Sequence, residues 1–434
     1  MTSSDLWPMK DVALSTGAQL MTKSALQFES LIIITGFCMG YYNEGNGAWK
    51  AFKLVVHIKT DINANLKQII KCHRIMPIVM VATGMLILLP LTKNIIQAGP
   101  VWTDYVAQPS EACQKYGYLN LFFVQNFSPP DQMCLQQTWL FCVELQLALV
   151  FIPVMSILSR FRVISWVLLG IIATIGFIIN VVTVNNYELP PTLMWTLPDP
   201  EDRNYYYHKH FFMPWAHLSA WTIGVAMGHY CHNRNNNDEL RFPKSHNVSY
   251  SKCTRILGCV VAAFVMLGLI LLWPSWVLGN IPSPLSSGFY DGFSKILWAM
   301  CTAFLLYVFS VKVEEEKQSL VTRFLSSKFC IIMGRLTLVA FVVHPIVQIV
   351  FLGTQQTQVF SSYLVAGYAL IGNTVFTYIL SFILAVLFEL PSSSLLTARQ
   401  PSYSVLEENK NININASNIP TLRNGDIEMT KERF

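Results

Sequence analysis

The sequence predicts an all-α fold, a polytopic bundle of nine transmembrane helices with a cytosolic C-terminus. Apolar residues make up 53% of the 434-residue chain and charged ones only 13%. Mean hydropathy is +0.42, a balance that soluble globular domains do not tolerate. Nine stretches, at 26–42, 75–91, 138–158, 162–184, 214–231, 255–276, 292–311, 329–350 and 362–388, approach or exceed the ~17–25 residues that carry a helix across the hydrocarbon. The charge between them alternates. Segments 43–74, 159–163, 232–255 and 312–328 hold six, two, five and four Lys/Arg, against two, two, none and none in 92–137, 185–213, 277–291 and 351–361. Lys and Arg resist translocation, so the first set is expected in the cytosol and the second in the lumen or outside the cell. Residues 1–25 then form a lumenal N-terminal segment, 26–390 the membrane domain, and 391–434 a cytosolic tail too polar to bury a core.

The first span, FESLIIITGF, is the weakest, because its apolar part is short and Glu29 interrupts it. With no cleavable signal ahead of it, this span is expected to anchor the chain. KCHRIMP opens the second span from the cytosolic side. Lys71 and Arg74 lie three apart and share a helix face, which suits a phosphate clamp; plain flanking charge is the alternative. The next loop holds two of the ten cysteines, Cys113 and Cys134. An oxidising compartment favours a disulfide between them over two unpaired thiols. Of three Asn-x-Ser sequons only Asn126 is on the lumenal side, and Pro129 just after it disfavours glycosylation.

The third span carries Glu144 in TWLFCVELQL, and the fifth carries His217 near its lumenal start in MPWAHLSAW. Between the fourth and fifth spans, a lumenal segment rich in Trp, Tyr and Pro reads either as an ordered cap or as an aromatic belt. The eighth span holds Arg335 near the cytosol and His344 in the lumenal half, followed by Pro345, which denies the helix one backbone bond. Charged and imidazole groups within spans are costly, and each is a candidate functional residue. Glu144, His217 and His344 are candidates for a shared polar cavity with acid–base chemistry on a hydroxyl; satisfied interhelical hydrogen bonds are the alternative. The chain has no P-loop, no Gly-x-Ser-x-Gly, no metal-spaced His/Cys cluster and no basic-aromatic run of nucleic-acid type.

In order, these pieces resemble the acyltransferase-3 family, in particular its animal nose-resistant-to-fluoxetine-like branch. FESLIIITGF resembles that branch's Val-Asp-x-Phe-Phe-x-x-Ser-Gly helix, with Glu29 as the acid and Thr35-Gly36 as Ser-Gly. KCHRIMP resembles Arg-x-x-Arg-Leu-x-Pro, with Lys71 replacing the first Arg. NLFFVQNF between the two cysteines and TWLFCVELQL after them resemble consecutive family segments. FMPWAHLSAW resembles Pro-Trp-x-Arg, with His217 where Arg is usual, and GRLTLVAFVVHP resembles the family's Tyr-Leu-x-His-Pro helix. The shared order covers about residues 16–391.

The resemblance implies transfer of an acyl group from acyl-CoA to a hydroxyl of a lipid or small molecule. Lys71 and Arg74 would hold the donor's phosphates, no metal or nucleic acid would take part, and membrane lipid would be the partner, in endoplasmic reticulum or plasma membrane. The family has ten such helices, and its first carries an Arg and, about ten residues on, the His expected to be catalytic. Residues 1–25 contain neither Arg nor His, so the chain reads as the family fold without that helix. The alternative is a relative without catalysis that moves lipid or hydrophobic small molecules.

Overall fold

The computed structural model describes residues 25–42, 62–96, 98–158, 162–192, 200–240, 252–271, 276, 281–310, 320–357 and 363–392. They are all-helical, with no strand among them. The expected lumenal segment 1–25 and tail 391–434 lie almost wholly outside the described residues. The helices are α1 (Ala25–Tyr42), α2 (Ile62–Leu88, extended by a 3-10 turn Leu89–Thr92), α3 (Gln108–Tyr116), α4 (Tyr118–Leu121), α5 (Trp139–Leu158) and α6 (Arg162–Asn186). There follow α7 (Pro200–Tyr206, extended by a π-turn Tyr207–Phe211), α8 (Leu218–Leu240), α9 (Lys252–Leu271) and α10 (Pro284–Ser310). The last are α11 (Leu320–Leu325), α12 (Lys328–Gly353) and α13 (Tyr363–Leu384).

Five helical stretches are long and apolar enough to cross a membrane: Ile75–Thr92, Val163–Asn186, Pro284–Phe309, Lys328–Gly353 and Leu364–Ser392. Ala25–Tyr41 and Arg255–Leu271 are shorter apolar helices. Their surfaces explain the composition. Phe264, Val163, Leu364 and Phe376 are among many large apolar side chains that stay exposed, as lipid-facing residues must.

Lipid tails are as apolar as leucine, so helices in a bilayer associate through close backbone approach. The α1–α8 pair shows this on both sides. A methyl on Gly36 would sit 2.5 Å from the Trp221 carbonyl oxygen, and one on Gly40 would strike that of Val225. In return, Gly224 lies against the Ile33 carbonyl and Gly228 against that of Phe37. Each helix thus presents a Gly-x-x-x-Gly face to the other. Residue numbers at these contacts rise along both helices, so α1 and α8 run parallel. By contrast, Gly288 packs on Val181 and Gly292 on Phe177, which makes α6 and α10 antiparallel.

The aromatic segment between the fourth and fifth expected spans is ordered where it is described. Tyr206, Tyr207, Phe211 and Phe212 are buried in one core with Trp139, Phe151 and Trp221. A second core joins α2, α5 and α12 through Ile78, Ala82, Phe141, Val339 and Val342. The seventh apolar stretch differs from its expected bounds, because helix α10 starts at Pro284 rather than 292. That extension brings Asp291 and Lys295 onto one buried helical face.

Candidate functional site

Glu29 enters the core from the first turns of α1, and the 3-10 turn Pro214–His217 delivers His217 to it. Both residues are sealed from solvent. His217 Nδ1 is 2.7 Å from Glu29 Oε1, and His217 Nε2 is 2.8 Å from the Phe211 carbonyl oxygen. A carbonyl only accepts, so Nε2–H is the donor there. The proton between Nδ1 and Glu29 is then held by one partner or the other. The indole of Trp139 stacks on the His217 ring at 5.5 Å, and Phe28 packs on Trp139 at 5.9 Å.

A second buried group adjoins the first. His210 Nε2 and Lys295 Nζ each lie 3.0 Å from Asp291 Oδ2, and Lys295 Nζ lies 3.0 Å from His210 Nε2. Lys295 also donates to the Ala216 carbonyl at 3.3 Å, as does the Asn180 amide at 3.0 Å. Ala216 precedes His217, so one backbone turn touches both groups. Burial lowers the pKa of His210, helped by the Lys295 charge and opposed by Asp291. Burial, then the charges of Asp291 and Glu29, raises the Tyr206 hydroxyl well above its usual range. Tyr206 therefore feels both carboxylates. Glu29 Oε2 and His210 Nδ1 are buried without a hydrogen-bond partner.

Of the sequence candidates, His217 is paired with Glu29, a residue outside that set. His217 has both nitrogens engaged, by Glu29 and Phe211. Glu144 sits half-buried on α5. His344 belongs to α12, where its Nδ1 is 2.8 Å from the Phe341 carbonyl. That carbonyl is the one whose helical donor would be residue 345, and Pro345 has no N–H. The next carbonyl, of Val342, accepts from the Gln137 amide at 2.7 Å. His344 and Gln137 thus satisfy the backbone around the proline. With Nδ1–H donating to Phe341, the other ring nitrogen of His344 carries the lone pair and has no partner among the described residues.

Cys113 and Cys134 are joined in a disulfide. Asn126, the sequon expected on the lumenal side, is fully buried, and its amide donates to the Gln146 side chain at 3.0 Å and to the Phe212 carbonyl at 3.1 Å. A glycan on Asn126 is incompatible with that packing, because the modified nitrogen is the bonded one. Lys71 and Arg74 fall on α2, but their side chains lie outside the described residues. Among the described residues no group of His, Cys, Asp and Glu is placed to hold a metal.

Sequence reasoning missed Glu29 as the partner of His217, and missed His210, Asp291 and Lys295 altogether. One signal was present. Asp291 and Lys295 are an i, i+4 pair of opposite charge beside an apolar run, and such a pair within a span is expensive unless satisfied. No protein-family model, curated protein or solved structure matches the chain.

Proposed function

We propose that this chain is a nine-span membrane protein of the acyltransferase-3 type, with a cytosolic C-terminus, in endoplasmic reticulum or plasma membrane. It moves an acyl group from acyl-CoA, held by Lys71 and Arg74 at the cytosolic face, to a hydroxyl of a lipid or small molecule. His344 is the base in this reading. The observation that carries it is the 2.8 Å contact of His344 Nδ1 with the Phe341 carbonyl: a carbonyl only accepts, so Nδ1–H donates and Nε2 of the neutral ring is left as the proton acceptor.

Two further features support the reading. The segments that carry the resemblance meet in space although they are scattered in sequence: Phe28 on Trp139, Trp139 on His217, Asn126 on Gln146, and Phe141 on Phe341. The parallel course of α1 and α8, with α6 and α10 antiparallel, is what the odd and even order of those stretches along the chain requires of a bundle that crosses back and forth.

The test uses the full chain in nanodiscs with acetyl-, octanoyl- and palmitoyl-CoA, reading free CoA thiol and acylated products by mass spectrometry. CoA release above the protein-free rate is expected. It should be lost in His344→Gln, whose amide can still donate to Phe341, and weakened in Lys71→Ala and Arg74→Ala. No release with any donor overturns the reading.

A second reading, binding and movement of hydrophobic molecules without acyl transfer, is favoured by the closed Glu29–His217 pair, which has no ring nitrogen to spare. It predicts uptake of a lipophilic probe by proteoliposomes with no CoA release.

A further inference from the structure

The segment between α2 and α5 does not sit on top of the bundle. Its start is fixed at the end of α12, where Gly99 N–H donates to the Gly353 carbonyl at 2.9 Å. From there it descends beside α2. The Ser110 hydroxyl donates to the Ile87 carbonyl at 3.2 Å, and a methyl on Gly117 would lie 3.3 Å from the Thr83 methyl. On the return, Cys134 Sγ lies 3.9 Å from Thr83 Oγ1. Thr83 is eight residues from the Ile75 end of the span Ile75–Thr92, about 12 Å along the axis. In a core roughly 30 Å thick, that level is near the middle of the bilayer.

Irregular backbone at that depth is tolerated only where it is buried in protein or lines water. One side of the segment is protein. Asn120 donates to the Cys134 carbonyl at 2.7 Å, Gln125 to that of Leu135 at 3.2 Å, and Gln146 to that of Phe123 at 2.9 Å. Side-chain amides thus bind carbonyls of the irregular backbone from within the protein. The other side of α3 exposes Glu111, Gln114 and Lys115 on one face. Hydrocarbon rejects such a face, whereas Met80 and Leu88 on α2, 51% and 58% exposed, suit lipid.

We propose that Glu111, Gln114 and Lys115 line a water-filled recess that opens at the Thr92 end of the bundle and reaches the level of Thr83. Water and hydrophilic solutes on that side then have access to mid-bilayer depth along α3. Lipid covers the Met80–Leu88 face of α2 at the same height. This inference does not depend on the acyl-transfer reading or on which face of the membrane is lumenal.

The experiment is cysteine accessibility in the full chain, held in nanodiscs so that both faces meet water. Glu111→Cys and Lys115→Cys are compared with Met80→Cys and Leu88→Cys, using a membrane-impermeant maleimide. Occupancy at each site is read by peptide mass spectrometry without reduction, which also reports the intact Cys113–Cys134 bridge in every variant. Labelling at 111 and 115 is expected at least tenfold faster than at 80 and 88. Equal, fast labelling at 88 would place the whole segment outside the bilayer and overturn the proposal. Labelling at 115 as slow as at 88 would show that no water reaches it, with the same consequence.

Discussion

Replacing Glu29 separates what the buried pair does from what a surface pair would do. Glu29 and His217 are both sealed from solvent and joined at 2.7 Å, with the second ring nitrogen committed to Phe211. Glu29→Ala leaves the imidazole in the core with one nitrogen unmatched. Breaking a buried pair from one side costs about 3–5 kcal/mol where the pair is ionic and about 1–3 kcal/mol where it is neutral. Glu29→Gln is different. Its amide can donate to the Nδ1 lone pair while Nε2–H still donates to the Phe211 carbonyl, so every bond survives in neutral form. The expected cost is about 1 kcal/mol, the scale of a neutral hydrogen bond. The assay is reversible unfolding in bicelles by steric trapping, with intrinsic fluorescence as a second probe. The reasoning is refuted if Glu29→Ala costs under about 1 kcal/mol, or if Glu29→Gln costs as much as Glu29→Ala.

Three other perturbations test neighbouring parts of the argument. Gly36→Val and Gly224→Val push side chains into the carbonyls of Trp221 and Ile33, and each should lower stability by about 2 kcal/mol or more despite the better helix propensity; no loss would mean the helices separate freely. His210 is held neutral by burial, so its contribution is present above its unfolded pKa near 6.5 and is lost as pH falls from there through the lowered folded value. Melting temperature should therefore drop between pH 7.5 and 5 more steeply in the native chain than in His210→Gln, and parallel profiles would contradict the assignment. His344→Ala strands the Phe341 carbonyl and should cost about 1–3 kcal/mol, but less in a Pro345→Ala background, where residue 345 regains its N–H. Additive costs in that double-mutant cycle would remove Pro345 from the explanation.

The helical class was legible because hydropathy is a sum over long windows and tolerates error at single residues. The disulfide was legible for a related reason. Alternating charge sorts the loops into two sets, and only Cys113 and Cys134 fall together in a loop of the Lys/Arg-poor set; the structure joins them. The pairing of polar residues is another matter. The sequence offers His217 a shared polar cavity with Glu144 and His344 or, as the alternative, a satisfied interhelical hydrogen bond. The structure gives it Glu29, because the glycines of α1 and α8 bring those two backbones into contact and carry Glu29 to the His217 turn. A partner 188 residues away is chosen by helix packing, which single-sequence periodicity does not encode.

His344 shows the converse limit. Its neighbour Pro345 denies the helix one backbone bond, which leaves a carbonyl open to another donor. The helix closes most of that opportunity itself: the imidazole three residues on covers the Phe341 oxygen, and Gln137 covers the Val342 oxygen. One residue then serves two ends. Covering the carbonyl fixes the tautomer, and the fixed tautomer decides which nitrogen keeps the lone pair. A His-Pro pair within a span is thus a stronger chemical signal than either residue alone, since the proline creates the acceptor that orients the histidine. The same reasoning locates the weak point of the proposed chemistry. If the bond to Phe341 were broken, Nδ1 and Nε2 would become interchangeable, and activity should fall in Pro345→Ala even though the imidazole remains.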